Sequence, residues 1–454
     1  MNQKIKKLDR MFNPKNIAVI GASNQINSVG WGLMENILKS AKKRKIFAIN
    51  PYKKEILGIK CISSIGSVLE SIDLAIIAVP AKIVPNIVKE CCEKKVGGII
   101  IISAGFAEKD REGKELQDKV AKIVKKANVP LLGPNCLGII RPSVDLNASF
   151  APGLPKKGEI AFVSQSGALI DSVIDRNLLE YYGFSTIISY GNEADLDLND
   201  FLKFLKNDKE TKVIVLYLEG IKDGRKFINT AKEVSKVKPI LVLKAGKTKA
   251  GQRAALTHTA SLSGSAEIYS AAFKQAGIIE LDSVEELFNV SKALAWQPKC
   301  KNGIGIITNG GGCGVLATDY CDKSKINLPR LSRDTIQKLD KPNLMHPAYS
   351  KRNPLDIVGD ALSSRYKAGI EALLEQKNIY GLLVIQTLQI MTEVEENAKI
   401  IKELKRKYPK KPIICCFMGG KYTNQGIEIL EKNHIPNYLE PQRAVLAIRS
   451  LIKK

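Results

Sequence analysis

Three kinds of feature in this sequence could do chemistry at the end of a buried strand: an imidazole, an acid and two small-residue turns. His258 lies in KAGKTKAGQRAALTHTASLSGSAE, residues 244–267. This run of small, hydroxylated and basic residues follows an apolar stretch and ends where a helical pattern begins near Gly264. A segment that long and that poor in large apolar side chains does not pack into a core, which predicts an exposed functional loop. An imidazole between Thr257 and Thr259 has no apolar neighbour to explain it, and it is neutral and nucleophilic near pH 7. His346, in a Pro-bearing loop, and His434, between a helix and a short strand, read as structural. Glu219 closes KVIVLYLEG, residues 212–220, whose apolar run predicts a buried central strand. A carboxylate there needs a partner. An imidazole N–H on a neighbouring loop is one, and an ordinary helix cap or loop position is the alternative.

The turns point to anion binding. In SQSGAL, residues 164–169, two serines and a glycine stand between a strand and an amphipathic helix. Ser166 serves there either as N-cap or as phosphate ligand. The G-x-S-x-G pattern of a nucleophilic serine is not matched. In GASNQINSVGWG, residues 21–32, a strand opens into a helix near Val29, so that backbone N–H groups and the helix dipole could hold a pyrophosphate, with Gly21 and Gly30 permitting close approach. The spacing is not G-x-G-x-x-G, and Asn50-Pro51 stands where an NAD-type fold needs an acid for the ribose hydroxyls. A ligand carrying phosphate, with Lys53 and Lys54 nearby, fits better; a plain strand-to-helix turn is the alternative.

Positioning these residues requires parallel sheets. Short Val- and Ile-rich runs alternate with amphipathic stretches, the pattern of α/β folds with crossover helices. One block has strands at 17–22, 46–50, 74–80, 98–103 and 130–133. A second has them at 159–165, 184–191, 212–220, 239–246 and 277–281, and a third at 304–312, 381–388 and 412–420. Residues 141–158 lack any period and read as a linker or hairpin. The expectation is three doubly wound units in series, with boundaries 1–140, 141–157 as linker, 158–298 and 299–454.

Composition narrows the class. The chain has 454 residues, 44% hydrophobic and 26% charged, enough for about three domains, and no apolar run approaches the ~18 residues of a membrane span. No signal-peptide pattern opens it. Nine cysteines without a CxxC pair signal neither a disulfide framework nor a metal site, and read as reduced cytoplasmic thiols. The net charge of +24 is spread over nearly every amphipathic segment and aromatics make up only 6%, so no nucleic-acid footprint is expected. The positive field still favours anionic ligands such as nucleotides and phosphates.

Taken in order, IAVIGAS, VPAKIVP, IISAGFAE, GPNCLGI, LNASFAP, VSQSGAL, YLEGIKDGRKFI, HTASLSGS, AAFKQAGII, TNGGGCGVLATD and NPLDIVGDA closely resemble the α subunit of ADP-forming acetyl-CoA synthetases, relatives of succinyl-CoA synthetase, over essentially the whole chain. The resemblance implies an N-terminal Rossmann-like CoA-binding domain followed by two flavodoxin-like ligase domains. The reaction it implies is the reversible conversion of acyl-CoA, ADP and phosphate into acid, CoA and ATP. It implies that His258 carries the phosphoryl group on a mobile loop, residues 244–264, with Glu219 orienting it. Ser164, Gln165, Ser166 and Gly167 would bind phosphate. Gly21, Ala22, Ser23, Gly30, Asn50, Val79, Pro80 and Ala81 would line the CoA site, with Asn135 and Cys136 near the thioester, the cysteine as a wall residue. It further implies a separate ATP-grasp β subunit in an α2β2 assembly, because no ATP-grasp region follows the third unit, and Mg²⁺ held with ADP or ATP mainly on that partner. No acetyltransferase domain is appended. Two residues depart from the family pattern: Ala260 where Gly is common and Cys313 where Pro is common. A CoA- or nucleotide-binding regulatory homologue without turnover is the alternative.

Overall fold

The computed structural model describes residues 3–259 and 265–453, with side chains for 7–40, 42–254 and 265–453. The chain divides into two compact units, Met1–Asp282 and Ser283–Lys454. Among the described residues no helix is long and apolar enough to cross a membrane, and none of the nine cysteines is disulfide-bonded.

The first unit holds two seven-stranded sheets. The first sheet contains β1 (Asn16–Ile20), β2 (Lys45–Ile49), β3 (Glu55–Ile56), β4 (Ile59–Ile62), β5 (Leu74–Ile77), β6 (Ile99–Ile101) and β7 (Leu131–Leu132), in the order β3-β4-β2-β1-β5-β6-β7. Pairing is parallel except between β3 and β4. β1 therefore lies where the chain winds outward in both directions, the place at which such sheets bind ligands. The second sheet contains β8 (Gly138–Arg141), β9 (Leu146–Ser149), β10 (Lys157–Ser164), β11 (Phe184–Ser189), β12 (Val213–Leu218), β13 (Ile240–Lys244) and β14 (Ile279–Leu281), in the order β14-β13-β12-β10-β11-β8-β9. Its switch point is β10, flanked by β11 and β12.

Of the two readings of residues 141–158, linker or hairpin, the structure shows the hairpin, built into this sheet. β8 and β9 form an antiparallel hairpin that pairs with β11. Both strands are buried along their whole length, so the sequence lacks the alternation that marks a half-exposed strand. Asp145 turns the hairpin with a positive φ of 55°. Arg141 pairs with Asp208 at 2.8 Å with both side chains buried, and Asn36 Nδ2 donates to the carbonyls of Ser149 and Ala151 at 2.9 Å each. The two sheets share one hydrophobic core running from Leu8 to Ile278, and Phe12 stacks on Phe204 at 4.4 Å. Deleting one member of the buried Arg141 pair is expected to cost about 3–5 kcal/mol.

The second unit has a four-stranded parallel sheet of β15 (Ile304–Thr308), β16 (Leu355–Asp356), β17 (Gly381–Gln386) and β18 (Ile413–Phe417), ordered β16-β15-β17-β18. The helix Val284–Trp296 packs within this unit. Its Lys292 makes a buried pair with Glu431 at 2.7 Å, and Tyr438 Oη donates to the Asn289 carbonyl at 2.7 Å. His434 stacks on Trp296 at 5.1 Å, and His346 Nδ1 accepts from Ala348 N at 3.0 Å.

Candidate active site

At the end of β1 the chain turns through Gly21, whose φ is 88° and where a Cβ would lie 2.2 Å from the Ala78 carbonyl oxygen. Gly30, in the first turn of the helix Val29–Leu38, faces this turn: a Cβ there would lie 2.1 Å from the Gly21 carbonyl oxygen. Only glycine at both positions lets helix and turn approach this closely. Ser28 caps the helix, its Oγ accepting from Trp31 N at 3.2 Å, and Ser23 Oγ accepts from Gln25 N at 2.9 Å. Asn50 joins neighbouring strand ends, its Nδ2 donating to the Ala22 carbonyl at 3.0 Å and its Oδ1 accepting from Tyr52 N at 2.9 Å. The Ser103 hydroxyl fastens Val79, accepting from its N–H at 3.1 Å and donating to its carbonyl at 2.6 Å. Ala81 opens the short helical turn that follows Pro80.

Beside these ends lies a cleft of about 840 Å³, within the usual range for small-molecule sites. Val79 and Pro80 from the first sheet, Asn135, Cys136 and Leu137 from the connecting loop, and Gln165, Ser166 and Gly167 from the second sheet all border it. Val79 and Pro80 of the expected CoA residues thus meet both expected thioester residues and Gln165, Ser166 and Gly167 of the expected phosphate residues at one cleft. Gly21, Ala22, Ser23, Gly30 and Asn50 build the turn at the end of β1. The helix Gly167–Asn177 starts at the cleft, with Ser166 as N-cap, its Oγ accepting from Leu169 N at 3.3 Å. A helix N-terminus open to a cleft is an anion site.

Ser164, expected with the phosphate residues, is not among those that border the cleft. It is wholly buried, and its Oγ is engaged by Ser166 N at 3.0 Å and the Ser166 carbonyl at 2.8 Å. It shapes the loop from beneath. Gln165 has a role that its sequence position hid. Its Oε1 accepts from the backbone N–H of Glu219 and from Gly220 N at 3.0 Å, tying the phosphate loop to the end of β12. Glu219 is buried, and its carbonyl accepts from Lys244 Nζ at 2.9 Å. That lysine is buried too and lies 4.5 Å from the Tyr269 ring centroid. Burial pushes its ammonium below the ordinary value, with Glu219 and Glu280 opposing.

The segment expected as a loop is helical from Lys249 to Thr259. Ala, Gln, Arg and Leu are good helix formers, and Thr248 Oγ1 accepts from Gly251 N at 3.0 Å. Poverty in large apolar residues signalled exposure and not irregular backbone. His258 is in the last turn of this helix; its side chain lies outside the described residues, as do residues 260–264 with Ala260. Cys313 is the third residue of the helix Gly311–Lys323, where its N–H donates to the Gly310 carbonyl at 3.0 Å.

Other cleft residues escaped the sequence reading. Glu108 Oε1 accepts from Gly105 N at 2.6 Å and Phe106 N at 3.1 Å, and Oε2 accepts from Asn192 Nδ2. Burial alone would raise this carboxyl, but the bonds from Asn192, Gly105 and Phe106 outweigh it and hold the group below its ordinary value. Glu108 is therefore a fixed anion on the cleft wall. Asn192 Oδ1 in turn accepts from Asn135 Nδ2 at 3.4 Å. Cys136 is buried, its Sγ 3.3 Å from the Ile101 carbonyl. Burial raises its thiol far above the ordinary range, which suits a wall and not a nucleophile. Among the described residues no group of three or more His, Cys, Asp or Glu could hold a metal ion.

Comparison with known proteins matches residues 15–142 to a CoA binding domain, 157–294 to a succinyl-CoA ligase like flavodoxin domain and 304–450 to a ligase-CoA domain. Fold, strand-end cleft and these three matches define the class: an α/β chain of the succinyl-CoA ligase type. Acetate–CoA ligase [ADP-forming] I of Archaeoglobus fulgidus is 43% identical over 98% of this chain, which spans 63% of that relative. The α subunit of acetate–CoA ligase [ADP-forming] II of Pyrococcus furiosus is 40% identical, over 98% of each. A solved structure, Ca. Korarchaeum cryptofilum dinucleotide forming acetyl-coenzyme A synthetase 1 in complex with phosphate and ADP, superposes with a TM-score of 0.92 at 37% identity, covering 98% of this chain and 96% of that one. The chain belongs to the family of ADP-forming acetate–CoA ligases.

Proposed function

We propose that this chain is the α subunit of a cytoplasmic ADP-forming acyl-CoA synthetase. In the acid-forming direction phosphate attacks the thioester carbonyl, the C–S bond breaks and CoA leaves as thiolate. A nitrogen of His258 then attacks the phosphorus of the acyl phosphate, releasing the carboxylate, and ADP takes the phosphoryl group from the imidazole. A covalent carrier suits this sequence because acyl transfer and nucleotide chemistry need different surroundings. The observation that carries the reading is the single cleft bordered by Val79 and Pro80, by Asn135 and Cys136, and by the helix N-terminus at Ser166 and Gly167. The amides at that N-terminus favour phosphate and the charge that develops on its oxygens. Gln165 holds the backbone of Glu219 next to the phosphate loop, so an acid stands ready to fix the tautomer of the carrier imidazole. No observation favours a CoA-binding protein without turnover.

The nucleotide and its Mg²⁺ belong, on this reading, to an ATP-grasp β subunit in an α2β2 assembly. The name of the P. furiosus relative, a subunit alpha matched over 98% of its length, supports a partner. Two measurements test the proposal. Calorimetric titration should show this chain binding CoA and not NAD. Mixing it with an ATP-grasp β subunit should yield ATP from acyl-CoA, ADP and phosphate. Tight NAD binding without a CoA response, or no ATP from the mixture, would overturn it.

A further inference from the structure

A chain of side-chain hydrogen bonds reaches the cleft, and its direction is fixed at one end by main chain. The N–H groups of Gly105 and Phe106 donate to Glu108 Oε1 at 2.6 and 3.1 Å, and that of Ala107 donates to Gln117 Oε1 at 3.4 Å. An ionised carboxylate only accepts hydrogen bonds, whereas a side-chain amide has one accepting and one donating end. Asn192 meets both acceptors, its Nδ2 donating to Glu108 Oε2 and, at 3.0 Å, to Gln117 Oε1. Its main-chain N–H donates to the Pro134 carbonyl at 2.9 Å, next to Asn135. This leaves the Oδ1 end of Asn192 for Asn135, whose Nδ2 donates to it at 3.4 Å. Asn135 is exposed and borders the cleft together with Glu108. With its amino end engaged by Asn192, its carbonyl oxygen is the end left to meet a ligand.

Resting on the ligase reading above, we propose that Glu108 and Asn192 are positioning residues, which set the direction of the Asn135 amide so that its Oδ1 accepts a hydrogen bond from an amide N–H of the pantetheine arm of CoA. The chemistry of the substrate selects this donor. The thioester carbonyl and sulfur have no hydrogen to donate, and the donor nearest to them in CoA is the amide N–H at the cysteamine end. An Asn135 amide turned the other way would set N–H against N–H and leave both donors unmatched, which is costly in a cleft that excludes water.

The test uses this chain with its nucleotide-binding partner and compares kcat/KM for an acyl-CoA with that for the analogue in which an ester oxygen replaces the cysteamine amide N–H. The wild type is expected to favour the natural thioester by about 10-fold, because the analogue sets two acceptor oxygens against each other. Glu108→Gln keeps an oxygen for Gly105 and Phe106 but turns a donor to Asn192, and Asn192→Ala removes the link outright. In both variants the ratio should fall to near one. A merely structural loss would lower activity on both substrates alike and leave the ratio as it was. A wild-type ratio of one, or an unchanged ratio in either variant, overturns the proposal. Asn192→Ala, which leaves the turn at Glu108 untouched, decides the matter where Glu108→Gln does not fold. Should no acyl-CoA turn over, the ligase reading fails, and calorimetric titration of CoA and its ester analogue against this chain alone decides instead. Tighter binding of CoA that is lost in Asn192→Ala supports the assignment, and equal affinities refute it.

Discussion

Gly30→Ala should weaken CoA binding where its neighbour Gly32→Ala does not. The added methyl at position 30 would lie 2.1 Å from the Gly21 carbonyl oxygen, whereas at position 32 it would lie 3.6 Å from Phe150 Cβ, an ordinary contact. Relief at position 30 requires a displacement of about 1 Å to restore van der Waals separation. The obstructing atom is backbone, and Gly21 cannot retreat, because it already abuts the Ala78 carbonyl. Helix and turn must therefore part at the point where the pyrophosphate is expected. A misplacement of about 1 Å costs on the order of 10²-fold in function, and overpacking of this kind costs about 1–3 kcal/mol in stability. Calorimetric titration with CoA should show a Kd about 10²-fold higher for Gly30→Ala, with a melting temperature lower by a few degrees. Gly32→Ala sits inside a helix, where Gly-to-Ala replacement gains up to ~1 kcal/mol, and should bind CoA like the wild type. Wild-type affinity in Gly30→Ala, or an equal loss in both variants, would refute this account of the turn.

Gln165→Ala leaves the N–H groups of Glu219 and Gly220 without their acceptor. Expected are a stability loss of about 1–3 kcal/mol in denaturant titration and slower phosphoryl labelling of the chain; unchanged labelling would show that the loop-to-strand tie is idle. Glu108 supplies a pH signature. Its folded-state pKa lies below the ordinary value, so its stabilising contribution is full above the unfolded carboxyl pKa of about 4.3 and is lost as pH falls through the depressed folded value. The stability difference between wild type and Glu108→Gln, followed by denaturant titration from pH 7 downward, should shrink in that acid window; a difference independent of pH would contradict the assignment.

The main strands were legible because each is short, rich in Val and Ile and flanked by amphipathic stretches, as strands covered on both faces must be. Full burial of β8 and β9 left no alternation to decide between the linker and the hairpin that residues 141–158 suggested, and Pro142 and Asp145 fit either. β3, β4 and β16 are too short or too exposed to print a pattern. Helix 249–259 was missed because small polar residues were read as loop, although alanine is the strongest helix former. The cleft residues at strand ends, Val79, Pro80, Ser166 and Gly167, could be located because parallel sheets bind ligands there. Glu108 and Asn192 could not. The bond between Glu108 and Asn192 joins residues 84 apart in sequence.

The most direct test of the central claim is to label this chain with ³²P, from acyl phosphate or from ATP plus the β subunit, and to follow the label in the wild type and in His258→Ala. The account predicts wild-type label that is lost in acid and survives alkali, as a phosphorus–nitrogen bond requires, and none in His258→Ala, since the neighbouring hydroxyls of Thr257, Thr259 and Ser261 have no base beside them in the sequence to activate them. Acid-stable label, or full labelling and turnover in His258→Ala, would contradict it.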